Sequence, residues 1–394
     1  MIKLIKSTFF KEEQTKKALI KFIKSAKKLS FGPQCEKFER NFAKYQGRKY
    51  CVFFNSGSSA NLAIVQSLLN LGKIKKGDSV GFSSLTWSTS VMPLIELGLN
   101  AVPIDVELDT LNASSEKLNN ITKKYPIKML FLTNLLGFCD DIERIKQLCA
   151  NRKILLLEDN CESLGTIYKN KKLGNFGLAS TFSFYVGHHM SIIEGGAVCT
   201  DEGQIATMLK IVRAHGWDRN LNLVKQRELR KKFKVNSTFY SKYTFYDLGY
   251  NLRPTEISGF LGNIQLQYID EIIKRRNANF LEFAEHIYKQ KSKYFPIRFD
   301  HIDLVSNFAI PVICRSQKIR NKLIDKCKRL IEIRPIVAGD ITRQHFFRKY
   351  YPTLTNDSTN HNAKIIHDQG LYFGNHPELT PREIEKIIDV FVKE

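Results

Sequence analysis

The chain has 394 residues, of which 43% are hydrophobic and 25% charged; that length predicts two domains of roughly 100–200 residues each, and that balance excludes a disordered or collagen-like chain. Its 61 basic and 39 acidic residues give a formal charge of +22, which would suit a nucleic acid, an anionic surface or a phosphorylated substrate. Because the lysines are scattered singly and in short runs along the whole chain, we read the charge as a solvated surface, and we expect neither a nucleic acid nor a membrane as a partner.

The opening residues, MIKLIKSTFFKEEQTKK, have no apolar core of the kind a signal peptide requires, and later apolar runs stop well short of the ~20 residues of a membrane span. A cytoplasmic location is expected. Cys35, Cys51, Cys139, Cys149, Cys161, Cys199, Cys314 and Cys327 form no CxxC or CxC pair, so reduced thiols are expected rather than a zinc site or a disulfide framework.

From residue 49 onward, short apolar runs alternate with longer helical patterns. KYCVFFN, DSVGFSS, NAVPIDV, IKMLFLTN, KILLLEDN and STFSFYV read as buried strands. The alternation predicts an α/β fold with a mostly parallel sheet and helices on both faces, whose ligands bind beyond the strand carboxyl ends. After Pro254 a long helical stretch leads out of the first domain. We place the boundary near residue 270, giving a large domain at 1–270 and a smaller α+β domain at 271–394. The last helix is marked by Thr380, Pro381 and Glu383, a capping box with proline in the first turn.

Four stretches carry candidate chemistry. In FFNSGSSANLAIVQSLL, Ser56, Gly57, Ser58 and Ser59 open a helix whose apolar residues recur at helical spacing; such a start suits a phosphate, and equally a plain serine N-cap. KILLLEDN ends in Glu158 and Asp159, followed by Cys161 and Glu162. A carboxylate at a strand end must be paired or must meet a cation such as a protonated pyridine nitrogen, unless it caps a helix. Trp87, after DSVGFSS, would cover a planar ring or fill the core. In TFSFYVGHHMSIIEGG, His188 and His189 follow a strand and could act as acid or base groups or as structural donors. No HExxH or similar spacing surrounds them, so no metal site is expected.

Taken together and in order, FGPQCEKFERNFAKYQG (31–47), NSGSSANLA (55–63), LLLEDNCESLG (155–165), SFYVGHHMSIIEGG (183–196), DLGYNLRPTEISGFLG (247–262) and RPIVAGDITRQ (334–344) resemble the sugar aminotransferase (DegT/DnrJ/EryC1/StrS) family of fold-type I, aspartate aminotransferase-like pyridoxal phosphate enzymes over nearly the whole chain. The resemblance implies that Gly57, Ser58 and Ser183 hold the cofactor phosphate, Trp87 covers the ring, Asp159 pairs with the pyridine nitrogen and Glu162 lies in the cofactor pocket. Asn251 would reach a neighbour's cofactor phosphate, which implies a homodimer with shared active sites. In HGWDRN, read as helical, His215 and Arg219 would contact a nucleotide sugar, the arginine being suited to diphosphate oxygens.

One position departs from the family pattern. Its aminotransferases carry a lysine, bonded covalently to the cofactor, where this chain has His188, and imidazole cannot form that bond. Histidine there resembles the family's 3-dehydratases of 4-keto-6-deoxy nucleotide sugars, those acting on GDP-4-keto-6-deoxymannose in particular. The implied activity is a carbon–oxygen lyase of 3,6-dideoxysugar biosynthesis: noncovalent pyridoxal phosphate is charged by L-glutamate to pyridoxamine phosphate, His188 shuttles the proton, the C3 hydroxyl leaves and ammonia is released. A related dehydratase adds an iron–sulfur cluster on closely spaced cysteines; that spacing is absent here, so no cluster is expected. The open alternatives are a 4-aminotransferase using His188 as shuttle, a 3-dehydratase of dTDP, CDP or UDP sugars, an inactive scaffold, and a nucleic-acid-binding regulator.

Overall fold

The computed structural model describes residues 1–352 and 360–393. Each apolar run named above becomes a strand: β1 (Tyr50–Phe54), β2 (Ser79–Ser83), β3 (Asn100–Ile104), β4 (Ile127–Thr133) and β5 (Leu155–Asp159). After a short hairpin of β6 (Ile167–Tyr168) and β7 (Lys171–Lys172) come β8 (Ala179–Ser183) and β9 (Gly196–Thr200). The seven long strands form one sheet in the order β1-β9-β8-β5-β4-β2-β3. β9 runs antiparallel to both of its neighbours, while the pairs from β8 to β3 are parallel. These strands are buried on both faces along most of their length, as a sheet sandwiched by helices requires.

The long helical stretch after Pro254 is two helices, Glu256–Gln265 and Ile269–Ile287, joined by a 3-10 turn at Leu266–Tyr268. Beyond it, β10 (Tyr294–Phe295), β11 (Ala309–Cys314), β12 (Ile333–Arg334) and β13 (Gly370–Gly374) make a second sheet, order β10-β11-β13-β12, with every pair antiparallel. The closing helix Pro381–Val392 carries the capping box at Thr380 and Glu383. One apolar cluster runs from Val102, Leu130 and Phe138 under the first sheet through Phe280 and Phe283 to Ile310, Phe373 and Phe391 in the second. Burial at about 25 cal/mol per Å² therefore acts across both sheets.

The HGWDRN segment departs from expectation. The preceding helix ends at Arg213, and His215 and Gly216 take φ of 58° and 85°. A Cβ at Gly216 would lie 2.0 Å from the Asp247 carbonyl oxygen. The left-handed pair breaks the helix so that Ala214 can bridge Asn251 and Trp217 can bridge Phe245.

All eight cysteines are free thiols, seven of them buried. Among the described residues, no helix is long and apolar enough to cross a membrane, and no cluster of three or more His, Cys, Asp or Glu could hold a metal ion.

Candidate active site

The carboxyl ends of five strands of the first sheet converge on a cavity of about 370 Å³, where an α/β sheet is expected to bind its ligand. β1 delivers Ser56, Gly57 and Ser58, β2 leads to Trp87, β4 ends at Thr133, β5 ends at Asp159, and β8 ends at Ser183 with His188 on the loop beyond. Glu162 also lines the cavity. Seven of the sequence-derived residues are thus brought together: Gly57, Ser58, Trp87, Asp159, Glu162, Ser183 and His188.

The phosphate-suited corner is the start of the Gly57–Asn70 helix. Ser56 is its N-cap, accepting from Ser59 N at 3.0 Å, which leaves other first-turn N–H groups pointing out of the helix, a place that favours an anion. Ser58 Oγ lies 3.3 Å from Thr89 Oγ1. Gly57 is packed against Ser183, and a Cβ added there would come within 2.6 Å of the Ser183 Cβ.

Asp159 is buried beneath the cavity floor. Its Oδ2 accepts from Asn61 Nδ2 (3.0 Å) and Ser90 Oγ (2.8 Å), and its Oδ1 from Cys161 N (3.0 Å). None of the salt bridges among the described residues includes it. A buried carboxylate held by neutral donors and open to a cavity suits a cationic heteroaromatic nitrogen. Glu162 accepts from Leu136 N at 3.1 Å, yet burial, with Asp159 adding to it, pushes its carboxyl up to about 8. It therefore carries a proton at neutral pH.

His188 N bonds the Tyr185 carbonyl at 2.9 Å. Its ring stacks on Phe308 (centroids 5.1 Å, 29° between planes) and meets Tyr185 edge-on at 5.8 Å. Loss of water pulls the imidazole down to about 4, against the attraction of Asp159. The ring is a neutral base at physiological pH. No lysine lines the cavity among the described residues.

His215, Arg219 and Asn251 lie outside this cavity. Arg219 stacks between Trp217 (4.1 Å) and Tyr243 (4.4 Å) and bonds the Lys242 carbonyl, while Asn251 accepts from Arg253 Nε at 3.0 Å. The sequence reading assigned no role to Tyr185, Phe308, Arg334, Tyr372 or the N-terminal Leu4 and Ile5, all of which line the cavity. Tyr185 and Arg334 sit inside two of the quoted motifs, a signal that was present. Phe308 and Tyr372 arrive from distant apolar strands with no local mark.

The residues present fit pyridoxal or pyridoxamine phosphate: an anion corner at one end, a carboxylate without a cation partner beneath, and no lysine to bond the cofactor. A family model described as the DegT/DnrJ/EryC1/StrS aminotransferase family matches residues 10–392. GDP-4-keto-6-deoxy-D-mannose 3-dehydratase of Escherichia coli O55:H7 is 33% identical over 370 residues, 91% of each chain. The Yersinia pseudotuberculosis enzyme of the same name is 33% identical over 371 residues, 92% of each. A solved structure of the E. coli GDP-4-keto-6-deoxy-D-mannose-3-dehydratase with bound hydrated PLP superposes with a TM-score of 0.88 at 32% identity, covering 99% of both chains. Fold, site geometry and these likenesses agree: the chain belongs to the DegT/DnrJ/EryC1/StrS aminotransferase family.

Proposed function

We propose that the chain is a 3-dehydratase that removes the C3 hydroxyl of a nucleotide-linked 4-keto-6-deoxyhexose, GDP-4-keto-6-deoxymannose being our choice of substrate, with L-glutamate as amine donor and release of ammonia. The observation that carries it is the cavity itself, where a neutral histidine and no lysine stands above a buried carboxylate. The cofactor, when bound, supplies an amine to join the C4 ketone and a conjugated ring to accept electrons.

The chain's residues do the rest. The first turn at Gly57 and Ser58, with Ser183, would hold the phosphate; Asp159 would keep the pyridine nitrogen protonated; Trp87 would cover the ring; and the Glu162 proton would be offered as a hydrogen-bond donor. With the cofactor bound, His188 would accept a proton on the cofactor side and deliver it to the C3 hydroxyl oxygen as that group leaves, a contribution of about 10²–10⁴-fold for a positioned acid–base group. A lysine in its place would tether the cofactor and favour completing amine transfer to the sugar.

We further propose a cytoplasmic homodimer with shared sites, each protomer a cofactor domain at 1–270 and a smaller domain at 271–394. Supporting the dimer, His215, Arg219 and Asn251 lie outside their own chain's cavity, on a stretch that also exposes Phe239, Tyr240, Tyr243 and Phe245. Apolar surface of this kind marks an interface, and across one those three residues would serve a neighbour's site. Incubating the protein with pyridoxal phosphate, glutamate and GDP-4-keto-6-deoxymannose should yield a 3-deoxy ketone and one ammonia per turnover. A product retaining nitrogen at C4 would make the chain an aminotransferase instead.

A further inference from the structure

The Ile269–Ile287 helix buries Arg276, which has no carboxylate among its contacts in the described residues. Its Nη1 donates to the Asn375 carbonyl and its Nη2 to the His188 carbonyl at 3.1 Å, while Nε is buried without a partner. Burial lowers the guanidinium only to about 9, so the charge persists at neutral pH. A buried cation without a counter-ion costs several kcal/mol, and two carbonyls offset part of that. A residue kept at such a cost calls for a reason beyond packing.

Its partners supply one. Asn375, just after β13, donates from Nδ2 to Asn307 Oδ1 and to the Arg276 carbonyl, both at 2.8 Å. Asn375 N donates to the Phe308 carbonyl at 2.8 Å, and the Phe308 ring is the one stacked on His188. Arg276 thus grips the His188 loop by its backbone while the same network sets the ring that the imidazole rests on.

We propose that Arg276 is the positioning residue for proton transfer by His188, locking the loop backbone and the Phe308 platform together and placing a fixed positive charge where a second cation is disfavoured. The inference rests on the reading of His188 as the base. The arginine's charge also opposes protonation of His189 and His376, and Asp159 is the carboxylate that opposes it at His188. Glu162, Glu194, Arg334, Tyr185 and Tyr372 also face the cavity. Glu162 titrates near 8, well above the imidazole, so the two are separable by pH.

The test uses full-length protein carrying isotope-labelled histidine, with the His188 signal assigned by its loss in His188→Asn. In Arg276→Met, removing a like charge should raise the His188 titration midpoint, with kcat down at least about tenfold and KM within about threefold of the parent. Arg276→Lys, which keeps the charge but not the fork, should leave the midpoint in place and recover part of kcat. An unmoved midpoint in Arg276→Met overturns the proposal, as does a loss of kcat that tracks melting temperature alone. Should Arg276→Met fail to fold, Asn375→Ala decides: the proposal requires lower kcat with an unchanged midpoint, and parental kcat would overturn it. The titration reads the apoprotein, so it stands even if the sugar substrate proves to be another.

Discussion

Gly57→Ala is the most informative single perturbation of the cofactor corner. The added methyl would lie 2.6 Å from Ser183 Cβ, 3.1 Å from Ser183 Oγ and 3.2 Å from Cys161 Sγ. The first two contacts belong to a short side chain at the end of a fully buried strand, and no rotamer of Ser183 moves its Cβ away. The start of the Gly57–Asn70 helix must shift instead, at the cost of overpacking a buried contact, about 1–3 kcal/mol. The shift displaces the first-turn N–H groups from a bound phosphate, and each 1.4 kcal/mol lost there weakens binding about tenfold. Calorimetric titration with pyridoxamine phosphate, beside thermal melting of the apoprotein, reads both effects. Ser183→Gly supplies the control because it deletes the obstructing Cβ: the double variant should recover apoprotein stability, with a coupling of about 1 kcal/mol or more between two residues in contact. It should not recover full affinity, since the Ser183 hydroxyl is also lost. Parental affinity in Gly57→Ala would refute the placement of the phosphate at this corner, and strictly additive stabilities would refute the Gly57–Ser183 contact.

Acid should destabilise the apoprotein over a defined window. His188 and His376 are held down to about 4 and about 3, and His189 well below its usual value, chiefly by burial. The unfolded chain therefore binds more protons than the folded one below about pH 6.5, and stability falls as pH drops through that point. For His376 alone the loss approaches about 5 kcal/mol as an upper scale, and urea midpoints that stay flat between pH 7 and pH 5 would contradict it. Glu162 works in the opposite sense: its folded proton leaves only near 8, so its contribution is lost as pH rises from about 4.5 to 8, and Glu162→Gln should flatten that decline. Asp159→Asn preserves shape but removes the charge, and should weaken cofactor binding by about 2 kcal/mol, roughly thirtyfold; unchanged affinity would remove Asp159 from the ring nitrogen. Gly216→Ala, forced against the Asp247 carbonyl, should lower kcat/KM through displacement of Arg219, and would leave kcat/KM untouched if that loop takes no part in the site.

The central sheet was readable because most of its strands are short, largely apolar runs set between helical patterns, and burial on both faces leaves no other place for them. Seven site residues were named by the family resemblance, and the structure brings them together because they stand at or shortly after strand ends, which the sheet gathers. The HGWDRN segment was misread because helix propensity does not register a tertiary obstacle. The close approach of Asp247 to Gly216 is set by chain thirty residues further on. Arg276 and Phe308 were invisible for the same reason, since each lies in an ordinary amphipathic or apolar stretch and gains its meaning only where the two sheets meet around His188.

The account turns on what His188 does with its proton. The decisive measurement is the mass of the sugar product, with ammonia counted in parallel, when parent and His188→Asn proteins are supplied with pyridoxal phosphate, glutamate and GDP-4-keto-6-deoxymannose. The account predicts a 3-deoxy-4-keto product and stoichiometric ammonia from the parent, and neither from the variant, although the variant still binds cofactor. An amino sugar from the parent, or full dehydration by His188→Asn, would contradict it.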